Sequence, residues 1–216
     1  MKKSIVSATA LTALASTLAF SLIASAAGVG TAPGQDKLKC FDGTTDGGYG
    51  GVCTLKANGA KGPATLDNTD SNVNGDYAGV YIENTTLTGQ TLSSVKQLGY
   101  SYTGTIAPQP GNLSLNVPVD TNNNNANDSY LFIDAYYCPG TAGRVDIIND
   151  PNCGIFVGSE NFPNWAALTA AYPTWKVAST GELGAGTLPF VIAERTPAEP
   201  SALWNVNAIT LGKPGK

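Results

Sequence analysis

From Leu38 onward, short apolar stretches alternate with clusters of Gly, Pro, Asn, Asp and Ser roughly every ten residues, too short a period for packed helices and the one expected of a sandwich or barrel. The candidate strands are Leu38 to Phe41, Val52 to Ala57, Tyr77 to Glu83, Gln97 to Thr103, Leu113 to Val119, Ser129 to Tyr136, Gly154 to Val157, Thr174 to Ala178, Leu188 to Arg195 and Trp204 to Leu211. Alternation is clearest mid-chain. Leu98, Tyr100 and Tyr102 alternate with Gly99, Ser101 and Thr103, and Leu113, Leu115, Val117 and Val119 with Asn112, Ser114, Asn116 and Pro118. A period of two sends one set to a core and the other toward solvent, so these strands are expected in a half-exposed sheet. The fold class is all-β, an antiparallel β-sandwich.

One segment carries a different period. Between Pro163 and Pro173, Trp165, Leu168 and Tyr172 are spaced three and four apart, Pro163 suits a first helical turn and Pro173 blocks continuation. The spacing predicts one two-turn helix near residues 163–172, with Trp165 anchoring it on the sandwich.

The first 26 residues concern address. Lys2 and Lys3 form a basic head, Ile5 through Ile23 an apolar run, and Ala24-Ser25-Ala26 a small-x-small site, the layout of a secretory signal peptide rather than of a retained anchor. Residues 27–36 read as a flexible lead-in, residues 37–212 as a single domain and residues 213–216 as a tail. No cysteine flanks the cleavage site and the tail carries no anchor motif, so the expected location is secreted and extracellular, with a two-lysine head of bacterial style.

Composition then excludes function classes. The chain carries 12 basic and 16 acidic residues. Cleavage would remove Lys2 and Lys3 and no acid, leaving a net charge of −6 on 190 residues. Such a surface speaks against nucleic acid and an anionic membrane as partners, since both need clustered cations, and no membrane insertion is expected once the signal is cleaved. There is no histidine, which removes Ser-His-Asp and Cys-His nucleophiles, His-ligated zinc and the usual base of neutral pH.

The four cysteines, Cys40, Cys53, Cys138 and Cys153, lack the close C-x-x-C pairs of a zinc site and in an exported chain point to disulfides. Three pairings are open. Local pairing of Cys40 with Cys53 and of Cys138 with Cys153 is the simplest, each bond closing a loop of roughly 15 residues and worth about 3 kcal/mol in the chain-entropy description.

Three constellations are candidates for chemistry. Asp120, Asn122, Asn124 and Asp128 alternate oxygens in the Val119 to Tyr130 loop as a structural calcium loop does, although an EF-hand glycine is replaced by Asn125 and its last acid by Leu131. The competing reading is an Asx-rich hairpin loop, and the stretch from Asp67 to Asp76 reads as a solvated turn before it reads as a second calcium loop. Asp134, Glu83 and Glu194 sit amid apolar strand neighbours. Asp134 and Glu194 are the acids that a carboxylate-only glycan hydrolase or lyase would need at about 5 Å or somewhat more, against the simpler reading of solvent-facing acids or partners of Arg195, Arg144 or Lys176. Tyr136, Tyr137 and Trp175 are the candidate glycan-binding aromatics, since sugar rings lay apolar C–H faces on flat side chains; Trp204 reads as core.

The order of Gln97 to Tyr102, Leu113 to Asp120, Tyr130 to Asp134, Trp165 to Pro173 and Trp204 to Gly212 resembles the secreted jelly-roll domains that include many carbohydrate-binding modules. Their last strand often reads V-D-x-V-x-L, and Val206 to Leu211 is similar, with Asn207 in place of the acid and Ile209 in place of the second valine. The resemblance covers residues 97–212 and implies a jelly-roll arrangement, without transferring any binding residue. Three functions follow as expectations: a non-catalytic module binding a glycan or cell-wall polymer, a self-associating structural component of the cell surface or matrix, and the carboxylate-only hydrolase or lyase.

Overall fold

The computed structural model describes residues 37–45, 48–56, 63–70, 74–83, 87–178 and 188–212. The expected signal peptide, lead-in and tail, and Ala57 at the end of one expected strand, lie outside the described residues.

Two antiparallel sheets face each other. In chain order the strands are β1 (Lys37–Asp42), β2 (Val52–Leu55), β3 (Ala64–Asn68), β4 (Asp76–Glu83), β5 (Gln97–Gly104), β6 (Leu113–Asp120), β7 (Ser129–Asp134), β8 (Arg144–Asp146), β9 (Ile155–Val157), β10 (Glu160–Phe162), β11 (Lys176–Val177), β12 (Phe190–Arg195) and β13 (Ala202–Gly212). The large sheet runs β1-β4-β12-β6-β7-β9-β10, with β11 paired to the far end of β6; the small sheet runs β2-β3-β13-β5-β8. The chain is an all-β sandwich with one α-helix among the described residues, α1 (Trp165–Ala171).

The core follows from the alternation. Leu113, Leu115, Val117 and Val119 of β6, Ala78, Val80 and Ile82 of β4, and Val191 and Ala193 of β12 meet Leu66, Leu98, Tyr100, Trp204 and Val206 of the small sheet, all almost fully buried. At about 25 cal/mol per Å² of apolar surface removed from water, this interface between sheets is the main stabilising term. Both disulfides form locally, Cys40–Cys53 and Cys138–Cys153.

Several local expectations are corrected. β6 is buried on both faces, with Asn116 and Asp120 as inaccessible as the leucines, because it lies inside the large sheet and its short polar side chains are flanked by larger residues of β7 and β12. The strand expected through Tyr136 stops at Asp134, whose carboxylate accepts the Tyr136 amide proton at 2.9 Å and caps a 3₁₀ turn over Ala135–Tyr137. Pro163 precedes the helix instead of entering it: Asn164 is the N-cap, its Oδ1 accepting from the Ala167 amide at 2.9 Å. β3, β8 and β10 have no counterpart among the expected strands. They run three to five residues, too short for a period of two to stand out from the flanking turns.

Candidate functional site: an aromatic row on the large sheet

The two outer faces of the sandwich differ in chemistry. On the small sheet the register aligns Thr54 with Thr65, Thr65 with Asn205 and Asn205 with Thr103, a polar row such as solvent favours. On the large sheet the corresponding row is Asn161, Phe156, Phe132, Asn116, Phe190, Tyr81 and Lys39, one residue from each of β10, β9, β7, β6, β12, β4 and β1. Neighbouring strands lie about 4.8 Å apart, so these side chains form a continuous band across the strands.

The band has two halves. Toward β1, Tyr81 and Phe190 pack edge to face at 5.8 Å, and Phe41 lies 4.4 Å from Tyr81 over Gly79, where a Cβ would collide with the Phe41 ring. Tyr77 and Tyr81 are buried in this half. Toward β10 the rings are open. Phe132 is 45% exposed, Tyr136 48% and Tyr137 39%; among the described residues the other large apolar side chain so exposed is Val52. Phe132 and Phe156 are register partners, Tyr137 meets Phe156 at 5.1 Å, and Tyr136 meets Tyr137 edge to face at 4.9 Å. Four rings thus form one patch, and a contiguous exposed apolar patch is informative where an isolated exposed leucine is not.

Its geometry is set by groups that sequence reasoning assigned elsewhere. Asp134 accepts amide protons from Tyr136 and, by its other oxygen, from Gly111, which fixes the turn presenting Tyr136 and Tyr137. Burial pushes the Asp134 carboxyl up, and these two amide bonds oppose that shift. The Gly154 amide donates to the Tyr137 carbonyl at 2.8 Å, and the Cys138–Cys153 bond ties the Tyr137 turn to the strand that carries Phe156. Between Phe132 and Phe190 in the row, Asn116 is fully buried; its Nδ2 donates to Ser114 Oγ at 3.0 Å and its Oδ1 has no hydrogen-bond partner.

The structure brings some expected residues together and separates others. Tyr136 and Tyr137 share the patch. Trp175 does not: it stacks flat on Tyr172 at 3.7 Å, Tyr172 packs on Phe162, and Phe162 is the register partner of the core residue Ile155. Trp165 and Trp204 are core residues. Asp134 and Glu194 sit on β7 and β12 with β6 between them, which separates their backbones by about 10 Å or more. Burial first, and the Glu199 charge second, push the Glu194 carboxyl up to about 7, although the residue's surface reaches solvent. Arg195 pairs with Asp76 and Arg144 with Asp146, not with either candidate acid. Phe132 and Phe156 were missed; the available signal was their place in period-two runs whose other members are Leu131, Ile133, Ile155 and Val157.

The four expected cation ligands share one loop, with their oxygens turned on its own backbone. Asp120 accepts from the amides of Asn122, Asn123, Asn124 and Asn125; Asp128 accepts from the Thr121 amide and hydroxyl and from Asn122 Nδ2. The Asn122 and Asn124 side-chain oxygens accept from the Asn124 and Ala126 amides. Asn123 and Asn125 take positive φ, 65° and 69°, as a nested Asx turn requires. The Thr121 amide is the main reason the exposed Asp128 carboxyl sits below its usual range. Among the described residues no three acidic or cysteine side chains converge as a metal-binding group.

A depression of about 180 Å³ beside the β13 bulge, lined by Tyr100, Arg144 and Thr210, is smaller than small-molecule sites generally are. No protein-family model, curated protein or solved structure matches this chain. Two disulfides suit an oxidising compartment, and no helix among the described residues is long and apolar enough to cross a membrane.

Proposed function

We propose that the protein is an exported, non-catalytic module that binds a glycan or cell-wall polymer on the exposed half of the aromatic row. The observation that carries this reading is the patch of Phe132, Phe156, Tyr137 and Tyr136 on one sheet face of a molecule whose opposite face carries the polar row of Thr54, Thr65, Asn205 and Thr103. Sugar rings desolvate their C–H faces on such rings, and Asn161 at the end of the row offers an amide to hydroxyl groups. Because a disulfide and a capped turn hold the rings before any ligand arrives, little ordering entropy opposes binding. The likeness to jelly-roll carbohydrate-binding modules supports the reading by analogy of fold alone. The signal layout of residues 1–26 and the two disulfides support export.

Retention on insoluble cellulose, chitin, xylan and peptidoglycan, together with a glycan array, tests the proposal. Retention on at least one polymer is expected, reduced tenfold or more by Phe132→Ala or Tyr137→Ala and unchanged by Thr103→Ala on the opposite face. Absence of retention on every polymer removes the reading. The same patch also favours a second one, a structural component whose copies meet through these rings.

A further inference from the structure

One end of the sandwich interior is polar. β3, β4 and β12 continue their inward-facing series with Asn68 after Ala64 and Leu66, Asp76 before Ala78 and Val80, and Arg195 after Val191 and Ala193. Asp76 Oδ2 is paired with Arg195 at 2.7 Å, and Arg195 also donates to the backbone carbonyls of Asp70 at 2.7 Å and Glu199 at 3.1 Å. The guanidinium is therefore well used.

Other polar atoms at this end are not. Asp76 Oδ1 is buried with no hydrogen-bond partner, and Asn68, 1% exposed, has none for either amide atom. Buried polar atoms without partners are rare, and leaving one unsatisfied is costly. A second carboxylate shares the neighbourhood. Asp76 Oδ1 and Asp70 Oδ2 lie 2.2 and 2.6 Å from the point where a Cβ on Gly50 would stand, which puts the two oxygens less than 5 Å apart. Gly50 is held there by backbone bonds to both neighbours of Asp76, its amide donating to Gly75 and its carbonyl accepting from Tyr77, each at 3.1 Å.

We propose that this end of the sandwich binds a calcium ion through Asp76 Oδ1, Asp70 Oδ2 and the Asn68 side-chain oxygen. Calcium takes oxygen ligands at about 2.3 to 2.6 Å, so two oxygens on one ion stand no more than about 5 Å apart, as these two do. The two carboxylates outweigh the single guanidinium by one negative charge, and the ion supplies the partner that Asp76 Oδ1 and the Asn68 side-chain oxygen lack, leaving the Asn68 Nδ2 to donate to a water. With three protein oxygens and water completing the shell, the affinity falls in the range of extracellular calcium modules, about 10⁻⁴ to 10⁻³ M. The site lies at this end of the sandwich, where the interior meets the exposed Asp70, apart from the aromatic patch and apart from the Asp120 loop.

Tyr49 and Tyr77, adjoining Gly50 and Asp76, make terbium a direct probe, since tyrosine sensitises its luminescence. Titrating the purified protein with terbium alone, then competing with calcium or magnesium alone, should show one saturable site that calcium displaces at least tenfold more effectively than magnesium. Asp70→Asn, a change at an exposed residue outside the Arg195 pair, should weaken binding at least tenfold while leaving the melting temperature in EDTA unchanged. Asp128→Asn should leave binding intact. Absence of saturable binding, or binding that survives Asp70→Asn, overturns the proposal and assigns the unpartnered atoms to ordinary buried water.

Discussion

Glu194 joins an exposed position on β12 to a carboxyl that is held above its ordinary range. Although the residue's surface is exposed, the burial of its carboxyl first and the Glu199 charge second push that group up to about 7. Between the usual carboxylate range and pH 7 the folded chain holds a proton that the unfolded chain has released, so stability falls as pH rises through that window. Glu194→Gln should flatten the profile and leave the variant more stable than the parent above pH 7. The difference should be well under about 1 kcal/mol per pH unit, because solvent reaches the residue and screens it. Urea denaturation between pH 4.5 and 8 checks this; parallel profiles for parent and variant would contradict it. Asp134 follows another logic. Two backbone amides oppose the effect of its burial, and its work is to hold the turn that displays Tyr136 and Tyr137. From sequence both acids look alike, since a carboxylate among apolar strand residues carries no sign of whether amides, charges or water will face it.

At the level of elements, the turn, the disulfide and β9 form one device. The Cys138–Cys153 bond closes over the Tyr137 carbonyl to Gly154 amide contact and holds the Tyr rings against Phe156. Replacing both cysteines with serine should cost about 3 kcal/mol of stability by the loop-closure argument. It should also weaken polymer retention more than a Cys40/Cys53 pair of serines does, because the second bond joins β1 to β2 away from the patch. Thermal melts and depletion isotherms on the two double variants make the comparison, and equal losses of retention would contradict it. The local pairing of cysteines was legible because each pair brackets a short turn-rich segment. So were the long strands, whose alternation reflects a face that must be dry. The 3₁₀ turn at Tyr136 was not, since Phe132 to Tyr137 reads as a continuous β-former until the Asp134 cap interrupts it. Nor was Trp175, which sequence alone leaves free to face solvent and which Tyr172 holds against the sandwich edge.

The whole molecule combines a polar outer face, an aromatic outer face and short edges. β8 and β10, each at one edge, have three residues, and β2, at the opposite edge of the small sheet, has four. Edges this short offer little template for adding a strand from another chain, and the fourth edge, β1, has six residues but opens with Lys37 and Lys39, charges of the kind that discourage such pairing, so contact between copies falls chiefly to the aromatic patch. Four rings cover a few hundred Å², below the roughly 1,200 Å² that a stable protein interface buries, and the net charge of −4 adds repulsion between copies. The protein should therefore remain monomeric at micromolar concentration, with weak association at higher concentration that Phe132→Ser abolishes. Sedimentation velocity on parent and variant decides between polymer recognition and assembly. A polymer-binding face gives one slow species in both samples together with retention lost in the variant, whereas a tight dimer that Phe132→Ser dissociates would mean that a second copy is the natural occupant of the row.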